Sequence, residues 1–400
     1  MRIGRTLPPA AAPISLRDIW VGIKGLLRGQ SEIKRFESEL RDYFKVDYCF
    51  LVSSGTASLT LILRALHDLF PERDEVIIPA FTCYSVPSAI VRAGLRISLC
   101  DVDPDTLDFD FERLSTLLSS TRLLAIIPTH LFALPADIER VRQLIKSPEV
   151  TIIEDAAQAM GGKRNDRLMG TLGDVSFFSL GRGKALSTVE GGIVLSNRDD
   201  IAAKIRHHVG SLSAYRLHEV IHLILKAVLL SVFVRPSLFW FPKSLPFLKL
   251  GETLFNPTFK MKGMSSFQAG LAREWKSKLD ALRTIRRWQI KSWVSMMKRM
   301  GLISYVRENA SSPDLIRFPI KLRDRSQVQK LYSEGKLESL GIMPVYPDSI
   351  DGIPELGHRI RSFPQARNLA ETLITLPVHG FVTERDRQSI AALIAHIEEK

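Results

Sequence analysis

The sequence predicts an α/β fold, in which a mostly parallel central sheet with helices on both faces is followed by a smaller α+β unit. Short apolar runs typical of buried strands alternate with stretches whose apolar residues recur at helical spacing, which is the pattern of a parallel sheet covered by helices. After Ile316 the pattern changes to RFPIKL, a helix, GIMPVYP and a closing helix over Thr383 to Glu398. This last part is typical of a compact C-terminal α+β unit.

The length of 400 residues and the hydrophobic content of 45% fit one large domain and one smaller domain with sizeable cores. We expect residues 1–30 to be a loosely ordered lead-in with a short amphipathic helix over Leu16 to Leu27. Residues 31–255 should form the large domain, including a hydrophobic insertion at about 205–255. Residues 256–400 should supply a long linking helix and the small domain.

The formal charge of +12 and the pI near 9.7 indicate an anionic partner: nucleic acid, a membrane surface or small molecules. No basic run interleaved with aromatics and no zinc-finger spacing is present, which argues against nucleic acid. Cys49, Cys83 and Cys100 lie in apolar contexts without metal-ligand spacing, so we expect free thiols in a reducing cytoplasm and no metal site. The N-terminus has no continuous apolar segment of the kind found in a secretory signal.

The first strand and helix of the large domain enclose a small-residue turn. A helix over Glu32 to Phe44 precedes a strand at Tyr48 to Val52, and Ser53-Ser54-Gly55-Thr56-Ala57 then leads into a helix with one apolar face. Free backbone N–H groups and the positive end of the helix dipole make such a turn an anion site. The alternative is an ordinary helix N-cap formed by Ser54 or Thr56.

Several further segments have the apolar pattern of short strands. A loop containing Phe81 to Tyr84 follows the first of them, and Ser265 to Met300 reads as one long helix. The strands are expected at Glu75–Ile78, Arg96–Val102, Leu123–Ile127, Val150–Ile153, Val175–Phe178 and Gly192–Ser196.

Four polar residues follow two of these strands. Asp155 and Gln158 come after one apolar run, and Ser179 and Lys184 come after the next. The carboxyl edge of a parallel sheet would bring them together. Pyridoxal phosphate chemistry needs such a set: a lysine to bond the aldehyde, a carboxylate for the pyridine nitrogen, and hydroxyl and N–H groups for the phosphate. Each residue also has a structural explanation, since Asp155 could cap a helix and Lys184 could be a surface lysine.

Residues 220–234 are almost continuously apolar, but the run is too short to cross a membrane and contains Lys226. One interpretation is a buried or subunit-interface helix. The other is a helical hairpin over 220–250 that rests on a membrane surface, where basic residues would face lipid phosphates. Those basic residues are Arg235, Lys243 and Lys249, and the aromatic residues among them are Trp240, Phe241 and Phe247.

From about Phe36 to the C-terminus, apart from the insertion, the chain resembles the DegT/DnrJ/EryC1/StrS family of PLP-dependent sugar aminotransferases, which have the aspartate-aminotransferase fold (fold type I). A series of segments in register carries the resemblance. They are SSGTASL (53–59), IIPAFT (77–82), CDVDPDTL (100–107), IIPTHLF (126–132), IEDAAQAMGG (153–162), GTLGDVSFFSL (170–180), EGGIVLSN (190–197), MSSFQAGLA (264–272) and ITLPVHGFVTERD (374–386).

The resemblance implies roles for individual residues. Lys184 would be the lysine bonded to the cofactor, Asp155 the carboxylate on the pyridine nitrogen and Gln158 the partner of the phenolic oxygen. The turn at Gly55, Thr56 and Ala57 would bind the phosphate, largely through backbone N–H groups, together with Ser179. The resemblance also implies a homodimer with the site at the subunit interface.

The chain departs from the family pattern at several positions. The slot for an aromatic residue that stacks on the ring holds Cys83, so Phe81 or Tyr84 would stack instead. A usual histidine is replaced by Met160. Met261-Lys262-Gly263 stands where a phosphate contact to the neighbouring subunit is usual, and Lys260 or Lys262 could substitute.

The resemblance implies transfer of an amino group from an amino acid, with glutamate expected as donor, to a keto group of a nucleotide-linked sugar. Two alternatives stay open. One is another PLP reaction on the same fold, such as dehydration or amination of a non-sugar carbonyl. The other is a non-catalytic, membrane-associated scaffold for polysaccharide assembly, built around 220–250.

Overall fold

The structure is a computed structural model that describes residues 4–245, 253–302, 305–306, 314–357 and 363–398. Phe247 and Lys249, which the sequence analysis assigned to a membrane contact, lie outside these ranges.

The strands form two main sheets and one short hairpin. In chain order they are β1 (Tyr48–Val52), β2 (Glu75–Pro79), β3 (Arg96–Cys100), β4 (Leu123–Ile126), β5 (Thr151–Asp155), β6 (Lys163–Arg164), β7 (Arg167–Leu168), β8 (Val175–Ser179), β9 (Gly192–Ser196), β10 (Phe318–Lys321), β11 (Met343–Pro344) and β12 (Leu373–Leu376). The large sheet has the order β1-β9-β8-β5-β4-β2-β3, and an antiparallel sheet has the order β10-β12-β11. In the large sheet β9 runs antiparallel to β1 and β8, so the other strands all point the same way. The predicted fold class is confirmed.

Helices cover both faces of the large sheet and surround the small one. They are α1 (Leu16–Arg28), α2 (Gln30–Phe44), α3 (Gly55–Leu69), α4 (Ser85–Ala93), α5 (Phe111–Leu117), α6 (Ile138–Leu144), α7 (Asp199–Gly210), α8 (Leu217–Phe233), α9 (Trp240–Lys243), α10 (Ser266–Leu271), α11 (Trp275–Arg299), α12 (Arg325–Leu337), α13 (Pro364–Thr372) and α14 (Glu384–Glu398). One buried cluster fills the α3 and α4 side of the large sheet and continues through α11 into the small sheet. A second fills the side under α2.

The prediction of one long helix over Ser265 to Met300 is wrong. The chain breaks between α10 and α11, where Glu274 has a φ of 58° in the left-handed region. Packing on each side of the break explains it. Gly270 in α10 lies so close to α1 that an added Cβ would be 2.8 Å from the Gly22 Cα, while the buried Trp275 indole at the start of α11 donates to Glu39 at 3.0 Å.

The short helix predicted over Leu16 to Leu27 is confirmed by α1, but the described residues before it are packed on the protein and do not form a loosely ordered lead-in. Leu7 is 1% exposed, and its N–H donates to the Ser339 carbonyl at 2.9 Å. The Pro8 carbonyl contacts His379 Nε2 at 2.7 Å, and α1 packs along α10. The apolar residues Leu7, Ala11 and Ile14 lie among prolines and show no helical or strand periodicity, yet they are buried against distant parts of the chain.

Within the segment 205–255, the first residues belong to α7, which packs on α3. The apolar run then forms α8, whose residues Val220, Leu223 and Ala227 are buried against α1 and α10. In the ranges that the structure describes, no helix is both long enough and apolar enough to cross a bilayer.

Candidate functional site

The site lies at the carboxyl edge of the large sheet, because that is where the parallel strands end. β5 ends at Asp155 and β8 at Ser179. Val52 at the end of β1 and Ser179 both pair with Gly192, so the start of α3 and the end of β8 are neighbours. Open α/β sheets bind ligands at this edge.

The turn before α3 meets Ser179 directly. An added Cβ on Gly55 would lie only 2.9 Å from the Ser179 Cβ, so the close approach needs glycine at position 55. Ser54 caps the helix, and its hydroxyl accepts from the Ala57 N–H at 3.1 Å. The Gly55 and Thr56 N–H groups lie in the first turn, where no intrahelical acceptor exists. They and the Ser179 hydroxyl are therefore the donors best placed for an anion.

Asp155 is 5% exposed and accepts from the Ala157 N–H at 3.0 Å. Burial raises the pKa of its carboxyl, and the Lys184 charge opposes this shift. Asp155 pairs with Phe177 of β8, so the loop that carries Lys184 leaves the sheet beside Asp155. A buried carboxylate with one backbone donor is costly unless a cation joins it, and a protonated ring nitrogen would be such a cation.

Glu154, the residue before Asp155, has a structural role. It is completely buried and accepts from His130 Nε2 at 2.7 Å, from the Leu172 and Gly173 N–H groups at 2.7 and 2.9 Å, and from the Gly170 N–H. Burial raises the pKa of Glu154, but these hydrogen bonds outweigh burial and the net shift is downward. This network fixes the strand end that carries Asp155.

Gln158 follows Asp155 by three residues and lies near a tyrosine that the sequence analysis missed. Its Oε1 accepts from the Phe132 N–H at 3.1 Å, and Phe132 has a positive φ of 58°. Burial strongly raises the pKa of the Tyr346 hydroxyl, Cys83 and Asp155 raise it further, and a side-chain hydrogen bond from Gln158 lowers it. Tyr346 therefore lies among the predicted site residues.

Phe81 and Tyr84 both pack on Tyr346. The ring centroids are 5.2 Å apart for Phe81 in an edge arrangement and 6.4 Å apart for Tyr84 in a stacked one. The Tyr84 hydroxyl also donates to the Asp348 carbonyl at 3.0 Å. The aromatic side chains predicted to stack on a cofactor thus hold the 346–348 segment against the large sheet. The GIMPVYP segment contains Tyr346, but its strand-like pattern gave no reason to expect a site residue.

Lys184 lies in an irregular loop between β8 and β9 and is partly exposed. Its N–H donates weakly to the Gly181 carbonyl at 3.4 Å. Its own carbonyl accepts from the buried Arg286 guanidinium at 3.0 Å. Arg286 is a second residue that sequence reasoning missed, because an arginine within a basic amphipathic helix gives no special signal.

Of the two lysines considered for a contact to a neighbouring subunit, Lys262 is already engaged. Its ammonium donates to Glu219 Oε2 at 2.8 Å and to the Ala214 carbonyl at 3.2 Å, and the residue is 9% exposed. Lys260 is exposed, so it is the more accessible of the two lysines.

The residues present fit pyridoxal phosphate. The buried Asp155 suits a cationic ring nitrogen, and the α3 turn with Ser179 suits a phosphate. Lys184 supplies an amine whose charge reaches Asp155. The Thr129 hydroxyl, whose residue bridges to Asp155 across the strand ends, is buried without a hydrogen-bond partner within the described ranges. A polar ligand in the site would supply what this hydroxyl lacks.

Comparison with known proteins gives a family model and curated relatives. The model for the DegT/DnrJ/EryC1/StrS aminotransferase family matches residues 23–395. GDP-perosamine synthase of Escherichia coli O157:H7 is 33% identical over 209 residues, which is 52% of this chain and 55% of that protein. L-Glutamine:2-deoxy-scyllo-inosose aminotransferase of Streptomyces kanamyceticus is 34% identical over 46% of this chain and 43% of that protein. The chain matches about half the length of these relatives.

Solved structures agree over nearly the whole chain. The putative sugar aminotransferase Spr1654 from Streptococcus pneumoniae superposes with a TM-score of 0.76 in its PLP-form and 0.77 in its PMP-form. Each match covers 98% of this chain and 99% of that chain, at 19% and 18% identity. At such identities the likeness shows the fold.

Proposed function

We propose, because the chain belongs to the DegT/DnrJ/EryC1/StrS aminotransferase family, that it is a PLP-dependent aminotransferase acting on a nucleotide-linked sugar. The amino group would come from an amino acid, with glutamate as the expected donor, and would pass to a keto group of the sugar. Such a product would serve polysaccharide, lipopolysaccharide or glycoconjugate biosynthesis.

One observation carries the proposal. The buried Asp155 carboxyl ends β5, and the loop that carries Lys184 leaves the neighbouring strand β8, beside the place where the α3 turn meets Ser179. An amine, an anion turn and a buried carboxylate at one sheet edge are the groups that PLP chemistry requires. A surface lysine and a helix-capping aspartate would have no reason to converge there.

Each residue has a role that follows from its chemistry. When bound, the cofactor supplies an aldehyde that accepts amino groups and a ring that takes up electrons from a breaking bond. The Asp155 carboxylate would hold a proton on the ring nitrogen. Gln158 would donate to the phenolic oxygen. Lys184 would anchor the aldehyde carbon and, once displaced by substrate, carry a proton on its Nζ between substrate carbon and cofactor.

The phosphate would bind through the α3 turn. The Gly55 and Thr56 N–H groups and the Ser179 hydroxyl would donate to its oxygens, while the helix dipole favours its charge. The Ala57 N–H would share its hydrogen with the Ser54 hydroxyl that it already contacts at 3.1 Å.

The substrate class rests on the relatives and on charge. One curated relative is named a GDP-perosamine synthase, and another is named for glutamine as donor and for a cyclic keto substrate. The net charge of +12 suits a substrate that carries a diphosphate.

We further propose a cytoplasmic homodimer with the site at the subunit interface. Lys262 donates to Glu219, whereas Lys260 is exposed. Lys260 would therefore be the lysine that contacts the phosphate bound by a neighbouring copy. Segment 220–250 would make a peripheral contact with the inner face of the membrane. Sedimentation equilibrium tests the dimer, and a monomer at every concentration would contradict it.

Lys184→Ala tests the catalytic proposal, with the exposed Lys163→Ala as matched control. We expect the native protein and Lys163→Ala, purified with PLP, to absorb visible light and to change spectrum when glutamate is added. Lys184→Ala should not transfer an amino group to any member of a panel of keto-sugar nucleotides. Full transamination by Lys184→Ala would refute the role of this lysine.

A further inference from the structure

Helix α8 exposes an apolar stripe, which we call the α8 stripe. It consists of Leu217, Ile221, Leu225, Val228, Leu229 and Val232. Their spacing of three to four residues places them on one face of the helix. Leu225 and Leu229 are 53% and 54% exposed. Contiguous exposed apolar surface of this kind marks an interaction site.

The stripe is additional to the face that packs α8 on the protein. Val220, Leu223 and Ala227 lie on that other face and are buried against α1 and α10. The exposed apolar surface continues past the end of α8 to Phe241, which is 44% exposed. Its ring stacks on the Phe233 ring with centroids 5.5 Å apart. The 17 residues of α8 span ~25 Å and are apolar on two faces, so one face remains for a partner.

The charges beside the stripe are predominantly positive. Between residues 216 and 245 the chain carries four cations and one acid. The acid, Glu219, is paired with Lys262 at 2.8 Å. Arg235 and Lys226 are exposed, although Lys226 lies 3.6 Å from Glu190. Lys243 is half-buried, and burial followed by the nearby Lys336 charge lowers its pKa.

A second exposed stripe lies on the neighbouring helix α1. Leu16, Trp20 and Leu27 are 65%, 58% and 88% exposed and share one face of that helix. The Lys24 ammonium is 5.3 Å from the Trp20 ring centroid. An exposed tryptophan beside a lysine is typical of a side-chain pair at the boundary between lipid and water.

We infer that the α8 stripe inserts into the interfacial layer of a membrane that contains anionic phospholipid. The apolar stripe would enter the acyl boundary while Lys226 and Arg235 contact lipid phosphates. This deepens the peripheral contact in the proposed function by naming the inserting residues and the lipid charge. It does not rest on the catalytic part of that proposal.

The same charges disfavour a second copy of the chain as the occupant. The two acids beside the stripe, Glu219 and Glu190, are already paired with Lys262 and Lys226. Two α8 stripes facing each other would therefore bring the exposed Arg216 and Arg235 of both copies together without added acids. An anionic lipid surface instead neutralises them, at about 1 kcal/mol per basic residue near the surface.

Cosedimentation with vesicles tests the inference. The probes are phosphatidylcholine vesicles with and without phosphatidylglycerol, in low and high salt. We expect the native protein to bind the anionic vesicles more tightly and to be released by salt. Leu225→Asn with Leu229→Asn should bind about tenfold more weakly, because two apolar side chains no longer leave water. Arg235→Gln should bind more weakly to anionic vesicles and unchanged to neutral ones.

Leu337→Asn is the matched control, because Leu337 is 73% exposed on α12 and lies on another helix. It should bind like the native protein. Thermal unfolding should be unchanged in every variant, since the substituted side chains are at the surface.

Absence of binding to anionic vesicles would overturn the inference. So would a double variant that binds normally, or one that turns a native dimer into a monomer, since the stripe would then join two copies. Vesicle binding is measured on the protein purified with PLP and needs no substrate, so it succeeds or fails independently of the transamination assay.

Discussion

Arg286 on α11 donates hydrogen bonds of 3.0 Å to the carbonyl oxygens of both Lys184 and Ala185. The arginine is 3% exposed, and burial lowers its pKa to about 10. On the same helix face, Gln289 and Trp293 donate to the carbonyls of Val382 and Pro377. Helix α11 therefore ties the lysine loop to the segment that follows β12.

Arg286→Met should lower kcat by about tenfold to hundredfold, because the carbonyls of Lys184 and Ala185 each lose a charged donor and a displacement of the loop near 1 Å has effects of that size. The free energy of unfolding should change by no more than about 2 kcal/mol, since two unpaired carbonyls are offset by removal of a buried charge. Steady-state kinetics and urea unfolding measure the two effects. The exposed Lys291→Gln on the same helix should change neither. A large loss of stability with normal kcat would make Arg286 purely structural.

The strands that carry the site were predictable because each is an apolar run that ends in polar residues. β1 and β9 have the bounds expected from sequence. Asp155 and Ser179 end their strands as the parallel arrangement requires. Local pattern was sufficient here, since burial on both faces of a sheet leaves a continuous hydrophobic signal.

Residues brought in from distant parts of the chain were not predictable. Tyr346 and Arg286 reach the site through tertiary packing of the small sheet and α11, which a single sequence does not encode locally. The break at Glu274 could not be predicted for a related reason. Apolar residues keep helical spacing on both sides of it, and only the separate tertiary contacts of α10 and α11 interrupt the helix.

Asp155→Asn should stabilise the cofactor-free protein at neutral pH. The folded state raises the Asp155 pKa, so between the unfolded and folded pKa values the folded protein binds more protons. Stability of the native protein therefore falls as pH rises through that window. The variant lacks this fall and should melt higher at pH 7 but show similar stability below pH 4. Scanning calorimetry across pH measures the difference, and PLP should stabilise only the native protein. An equal pH dependence in both would contradict the buried carboxyl.

Gly55→Ala should weaken the phosphate site and destabilise the fold by about 1–3 kcal/mol, because its Cβ would lie 2.9 Å from the Ser179 Cβ. The apparent affinity for PLP, measured by absorbance titration, should fall with it. Gly210→Ala at the end of α7 is the control, since an added Cβ there meets no atom within 4 Å. Equal PLP affinity in Gly55→Ala and the native protein would separate this turn from the phosphate.

Glu154→Gln should lower the free energy of unfolding by about 3 kcal/mol at neutral pH. The amide NH₂ is a donor, and it would face the His130 and backbone N–H groups that now donate to the carboxylate. The native hydrogen bonds lower the Glu154 pKa, so its contribution is present above the unfolded pKa and is lost as pH falls through the folded value. The difference between the two proteins should therefore shrink in acid. Urea unfolding at neutral and acid pH measures it, and a difference that stays constant would contradict the assignment.

Tyr346→Phe should leave the fold intact but change cofactor binding. The ring contacts with Phe81 and Tyr84 remain, so the melting temperature should shift little. The lost hydroxyl lies near Gln158 and Asp155, which both affect its pKa. The loss of one net hydrogen bond to the ligand, about 1 kcal/mol, corresponds to roughly fivefold in PLP affinity. Absorbance titration with PLP measures this change together with any shift in the bound spectrum. Tyr305→Phe, which removes a hydroxyl bonded to the Pro104 carbonyl at 3.1 Å, should alter neither. If Tyr346→Phe matched Tyr305→Phe in both readouts, Tyr346 would serve only to pack the 346–348 segment on the large sheet.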